Sequence, residues 1–174
     1  ETPLIVRVDV GLFDFNRNVF IPVLDEMGLP SGSTIAQLKV IPNEWPSLHP
    51  SHNLDANFGY QIALIGYDWI DETSELVLYW RALATMQKDY NVFVHIINSD
   101  GHLVAQADGP PINGNYPTSW WSPGDIIVDR RKIPTLNPGT YKILVGLYDL
   151  ADGTRLSRID KISEAAEIAP IVMQ

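Results

Sequence analysis

The sequence predicts an all-β protein built as an antiparallel two-sheet β-sandwich, and three observations carry that expectation. Apolar residues recur with period two rather than 3.6 through most of the 174-residue chain. The alternating runs are short and are separated by Gly, Pro, Asn and Asp clusters that suit turns. Helix candidates are few: "VFIPVLDEMG" (19–28) is broken by Pro22, and "ISEAAEIA" (162–169) reads equally well as a polar edge strand. Short strands at regular spacing with almost no helix indicate two packed antiparallel sheets rather than parallel βαβ units.

The clearest strand is "TSELVLYWRAL" (73–83), where Leu76, Leu78, Trp80 and Ala82 share one face and Glu75, Val77, Tyr79 and Arg81 the other. "DYNVFVHIIN" (89–98) is rich in β-branched and aromatic residues, and "SDG" (99–101) supplies turn chemistry before "HLVAQAD" (102–108), so the two form a hairpin. "GDIIVDRRKI" (124–133) and "GTYKILVGLYDL" (139–150) are each introduced by Pro-Gly, and "ADGTRL" (151–156) reads as a further hairpin turn. Upstream, "PLIVRVDV", "STIAQLKVI" and "GYQIALIGYDWI" add three candidates. Residues 42–58 carry three prolines and no alternation, which predicts a long loop. The expectation is one domain over 1–174, with a less regular portion at 1–57 and the sandwich core at 58–169.

Composition narrows the function classes. Twelve Lys and Arg against 21 Asp and Glu give a net charge of −9, a surface that repels polyphosphate and argues against nucleic acid as a partner. With no cysteine there is no disulfide, thiolate metal site or Cys nucleophile. No apolar run approaches the roughly 20 residues needed to span a bilayer, so this stretch is not expected to insert into a membrane. The chain starts at Glu1 without a targeting segment and reads as a piece of a longer polypeptide.

Motifs for chemistry are sparse. There is no phosphate-binding loop, dinucleotide fingerprint or nucleophile elbow, and no cofactor is expected. His49 and His52 form H-x-x-H with Asp55 three residues on, a weak zinc candidate in a Pro-rich loop that lacks an assignable fourth ligand. His95 shares a strand face with Phe93 and has Asp129 or Asp100 as conceivable partners, but no serine completes a triad. Asp68, Asp71, Glu72 and Glu75 contain the carboxylates a glycosidase needs, yet they surround a strand turn and read as solvated charge. Catalytic residues are therefore not assigned.

The aromatics remain. In "YPTSWWSPGD" (116–125), Tyr116, Trp120 and Trp121 form a candidate sugar-stacking platform with Asn113 and Asn115 nearby, since pyranose C–H faces pack on flat indole surfaces. Core closure is the competing and stronger reading. Adjacent Trp120 and Trp121 point to opposite sides of an extended segment, so at most one faces solvent squarely.

The run "LVLYWRALATMQKDYNVFVHIINSDGHLVAQADGPPINGNYPTSWWSPGDIIVDRRKIPTLNPGTYKILVGLYDLADGTRL", with "FGYQIALIGYDW" before it, resembles a β-sandwich domain that follows the membrane-spanning part of glycosyltransferase-like proteins of the protein-mannosyltransferase type in filamentous green bacteria. The likeness covers about residues 58–156, and "VGLFDFNRNVFIPVLDEMG" (10–28) lies outside it. It implies an immunoglobulin- or fibronectin-like sandwich, with a jelly roll or galactose-binding-like sandwich as the alternative. In "LNPGTYKILVGLYD", Tyr141 holds the place of the tyrosine that anchors a corner before a core strand. The resemblance further implies an extracytoplasmic, membrane-tethered and non-catalytic accessory module, whose partner is a glycan or the parent membrane domain. A purely structural spacer and a metal-dependent or glycoside hydrolase are the alternatives.

Overall fold

The computed structural model describes residues 3–45 and 47–173. The protein is all-β: among the described residues it contains twelve strands, three single turns of 3-10 helix and no α-helix. Among the described residues no helix is long and apolar enough to cross a membrane. The chain divides into two compact units, Glu1–Pro42 and Asn43–Gln174.

The first unit contains two separate two-stranded ribbons. Strand β1 (Leu4–Asp9) pairs antiparallel with β4 (Thr34–Val40), and β2 (Leu12–Asp14) pairs with β3 (Val19–Ile21). The β2–β3 turn is built by Asp14, whose carboxylate accepts the backbone N–H groups of Asn16 at 2.9 Å and Arg17 at 3.1 Å. The helix candidate at 19–28 thus begins as a strand, because β3 satisfies its backbone across the hairpin and Pro22 ends it.

The second unit is the sandwich. One sheet has the order β10 (Ile126–Lys132), β7 (Glu75–Ala82), β6 (Ile62–Ile70), β5 (His52–Phe58); the other has the order β12 (Ala166–Met173), β11 (Gly139–Asp149), β8 (Tyr90–Ile97), β9 (Leu103–Gln106). All pairings are antiparallel. The stretch read as a loop over 42–58 is irregular only as far as Ser51, and His52–Phe58 is the edge strand β5. "HNLDANF" does alternate in its second half, Leu54, Ala56 and Phe58 against Asp55 and Asn57, and Ala56 and Phe58 are buried; three apolar residues after a Pro-rich stretch are too short a run to stand out as a strand. A tight turn over 59–61, with Gly59 and Tyr60 both at positive φ (59° and 57°) and the Gln61 N–H donating to the Phe58 carbonyl at 3.0 Å, joins β5 to β6.

The core follows the alternation. Leu76, Leu78 and Trp80 of β7, Val92, Val94 and Ile96 of β8, and Ile143, Val145 and Leu147 of β11 are all fully buried. Burying each such side chain contributes on the order of 1.5–3 kcal/mol. Strand β10 departs from the pattern. Ile127, Asp129 and Arg131 lie opposite Trp80, Leu78 and Leu76, so the inner face of this strand carries an acid and a base among aliphatic neighbours. At the start of β11 the Tyr141 hydroxyl donates a 2.9 Å hydrogen bond to the Asn137 carbonyl, which pins the turn before that strand.

Candidate functional site

The segment between β9 and β10, residues 107–125, holds every candidate platform residue, and it folds as a closure of the sandwich. Its first half is drawn in by the buried pair on β10. Arg131 donates to the Asp129 carboxylate at 2.7 and 2.8 Å and to the Gly109 and Pro110 carbonyls, each at 3.1 Å. The other oxygen of Asp129 accepts the Ile112 backbone N–H at 3.0 Å. Burial pushes the Asp129 carboxyl above the ordinary carboxylate range, against the pull of Arg131. Ile112 and Asn113 both take left-handed backbone conformations (φ 49° and 53°), a strained geometry for a β-branched residue that these bonds hold in place.

The second half closes on itself. Thr118–Trp120 forms a 3-10 turn, so the chain reverses before Trp121 instead of running extended. The Tyr116 hydroxyl donates its one proton to the Asp125 carboxylate at 2.5 Å, with the Trp120 carbonyl at 3.0 Å sharing it, and the Trp121 indole N–H donates to the Tyr116 carbonyl at 2.9 Å. The rings of Tyr116 and Trp121 stack at 6.3 Å with an interplanar angle of 23°. Burial, then the bond to Asp125, raises the Tyr116 phenol far above its ordinary value. Tyr116 is 0% and Trp121 1% exposed, so neither can present a face to a sugar. Tyr116 and Trp121 therefore belong to the core and do not form the two aromatic faces of a stacking platform. Trp120 is half-buried, while Asn113 and Asn115 are exposed on the same turn.

The histidine-loop candidates do not converge. His49 is exposed in the irregular stretch, and His52 on β5 stacks flat on Tyr67 at 4.6 Å. Asp55 lines a hollow of about 280 Å³ whose charged neighbours are Arg158, Lys161 and Glu167. Among the described residues no three His, Asp or Glu side chains gather as a metal site would require. His95 lies 3.5 Å from Asp108, not beside Asp129 or Asp100, and its ring leans on Phe93. Of the acidic group around the β6–β7 turn, Asp68 accepts the Tyr79 hydroxyl and the Ser51 N–H, each at 2.5 Å, and Glu75 pairs with Arg130 at 2.9 Å. Burial raises Asp68, but those two bonds outweigh it and hold the group below its ordinary value. Burial, with Asp68 as acceptor, pushes the Tyr79 phenol up to about 12. Each of these carboxylates is engaged in holding the sheet together.

The surface that stands out was not found from the sequence, because alternation shows which residues share a face and not what lies over that face. Of the 23 exposed large apolar side chains among the described residues, 15 fall within the first 42 residues, so exposure is concentrated rather than scattered. On the β1–β4 ribbon, Leu4 pairs with Val40, Val6 with Leu38 and Val8 with Ala36, which places six aliphatic residues on one face. The opposite face carries Ile5, Arg7, Gln37 and Lys39. Val6 and Val40 are 38% exposed and Leu38 53%. Beside it in sequence, the β2–β3 hairpin exposes Leu12, Phe15 and Phe20, with Phe13 meeting Phe15 and Phe20 edge-on at 5.1 and 4.9 Å. The alternation of β1 and β4 was legible; what it faces was not.

No family model, curated protein or solved structure matches the chain.

Proposed function

We propose that the chain is a non-catalytic accessory module that docks on another protein through its N-terminal unit. The observation that carries this reading is the aliphatic face of the β1–β4 ribbon. A two-stranded ribbon is marginal by itself in water and needs a covering layer to be stable. Concentrated exposed apolar surface marks an interaction site. Lipid is the poorer covering layer, because the outer edges of both short ribbons carry backbone N–H and C=O groups that hydrocarbon cannot satisfy. A protein partner supplies both apolar contact and hydrogen bonds to those edges. In this reading the partner is the extracytoplasmic face of a glycosyltransferase-like membrane protein, for which the likeness over residues 58–156 is the support.

The test is a tagged chain recovered from its native membranes, beside a Val6→Glu/Leu38→Glu variant. The expected result is a stoichiometric protein partner that the variant loses while its thermal transition is unchanged. Equal recovery of the partner by both chains, or no partner with either, overturns the proposal. A spacer role is the second reading, and the burial of Tyr116 and Trp121 favours it over sugar binding at that corner.

A further inference from the structure

We propose that a hollow of about 290 Å³ on the outer face of the first sheet binds a small monocarboxylate, held by Arg81. It lies within the sandwich unit and does not rest on the role given to the N-terminal ribbons. Its walls are Leu48, Pro50, Asn53, Ile65, Arg81 and Ile126.

The register gathers the floor of the hollow on one face. Ile126 of β10 stands opposite Arg81 of β7, Gly66 of β6 stands opposite Tyr79 on one side and Asn53 on the other, and Tyr79 and Arg81 are two residues apart. This is the face opposite that of Trp80, whose ring fills the core. Ile65 is the extra residue where β6 shifts register against β7 between Leu64 and Gly66, and the shift turns it into the wall. The remaining wall is the segment before β5, and it is fixed to the sheet. A Cβ on Gly66 would stand 2.4 Å from the Pro50 ring, and the Ser51 N–H donates to Asp68 at 2.5 Å. Walls already in place lose little freedom when a ligand arrives.

Arg81 decides the ligand. Each of the other six arginines pairs with an Asp or Glu side chain, in a chain where 21 acids stand against 12 bases. Among the described residues Arg81 has neither a carboxylate nor a hydrogen-bond acceptor, and no Asp or Glu lines the hollow. An open guanidinium fork matches a carboxylate, which it holds by two parallel N–H···O bonds. The Asn53 side chain, exposed and likewise without a partner among the described residues, adds an NH₂ donor to the same hollow.

Charge and size separate the oxyanions. A net charge of −9 opposes a dianion about twice as strongly as a monoanion, which disfavours phosphate and sulfate against a carboxylate. The volume lies just below the roughly 300 Å³ at which sites for drug-sized molecules begin, and Leu48, Pro50, Ile65 and Ile126 give apolar contact to a short hydrocarbon body.

The test is amide-resolved NMR titration at constant ionic strength. Isovalerate presents the group as a free acid, N-acetylvaline presents it as a peptide end, and isovaleramide and inorganic phosphate are the controls. The expected result is saturable shifts at residues 48–53, 65 and 126 with one or both carboxylates, the tighter naming the source, and none with the amide. Arg81→Gln, an exposed change, should weaken binding about tenfold or more, the equivalent of about 1.4 kcal/mol, and Asn53→Ala several-fold. Arg17→Gln removes the same charge from the N-terminal unit and should leave binding unchanged. Absence of saturable shifts with both carboxylates overturns the site. Equal shifts with isovaleramide, or tighter binding of phosphate, overturn the carboxylate assignment. Binding that Arg81→Gln leaves intact, or that Arg17→Gln weakens as much, overturns the role of Arg81 and the proposal with it.

Discussion

The Tyr116 hydroxyl stands 2.5 Å from the Asp125 carboxylate, inside a corner whose second aromatic wall, Trp121, donates its indole N–H back to the Tyr116 carbonyl. Three residues close to one another in sequence are thus tied by two side-chain bonds and a ring stack in a place that water does not reach. Tyr116→Phe leaves a buried carboxylate short of a donor and should cost about 1–3 kcal/mol. Trp121→Ala opens a cavity and should cost about 3–5 kcal/mol, whereas half-buried Trp120→Ala should cost clearly less. Urea unfolding of the three variants checks the order, and equal losses at Trp120 and Trp121 would contradict the packing described.

The Asp129–Arg131 pair sits where sandwiches ordinarily place aliphatic residues. Removing one member strands the other as an uncompensated buried charge, so Arg131→Met should destabilise the protein by about 3–5 kcal/mol. The deficit should shrink as the pH falls, because protonating Asp129 abolishes the charge that has lost its partner. Equilibrium unfolding at neutral and acid pH measures both effects.

Tyr79 gives the alkaline limit a residue. Its phenol, raised by burial and by Asp68 from 10.0 to about 12, keeps its proton longer in the folded chain than in the unfolded one. A group raised on folding contributes stability that is complete below the unfolded value, and loses it as the pH climbs through the folded value. The loss should therefore fall between about pH 10 and about pH 12. Asp68, lowered, works in the opposite sense: its share is present above 3.8 and lost as the solution is acidified below it. Spectrophotometric titration should show a late phenolate step that Tyr79→Phe removes.

Gly146 in β11 has no room for a side chain. An added Cβ would lie 2.4 Å from the Glu164 carbonyl oxygen and 2.4 Å from a ring carbon of Phe93. Gly146→Ala should cost at least the 1–3 kcal/mol typical of overpacking, about, and lower the thermal midpoint. Gly153→Ala faces open space and only the strain of a φ of +74°, so it should be the milder change.

Much of the sandwich was legible because its central strands are amphipathic in the simplest way. Leu76, Leu78 and Trp80 alternate with Val77 and Tyr79, and the structure buries the first set fully, with Val77 as well. Strands β2 and β3 were not legible, since each has only three residues and period two needs a longer run to show itself. Strand β5 was hidden because its apolar alternation is only three residues long and follows a Pro-rich stretch, although pairing with β6 and the burial of Ala56 and Phe58 both fix it in the sheet. In "DIIVDRRK" nothing distinguishes inward Asp129 and Arg131 from outward Arg130; only the carbonyls and N–H groups of residues 109–112 make the inward choice tolerable.

By itself, the sequence determined the class: alternation is a local property, and a chain that alternates with period two can bury its apolar set only by forming sheets. Tertiary structure decided which surfaces remain open. Whether Trp120 or Trp121 faces inward depends on a turn at Thr118 and on Asp125 nine residues from Tyr116, and only the antiparallel register that sets Val6 opposite Leu38 gathers the aliphatic residues of β1 and β4 on one face. Burial is a relation between distant segments, and no window of sequence contains both sides of it.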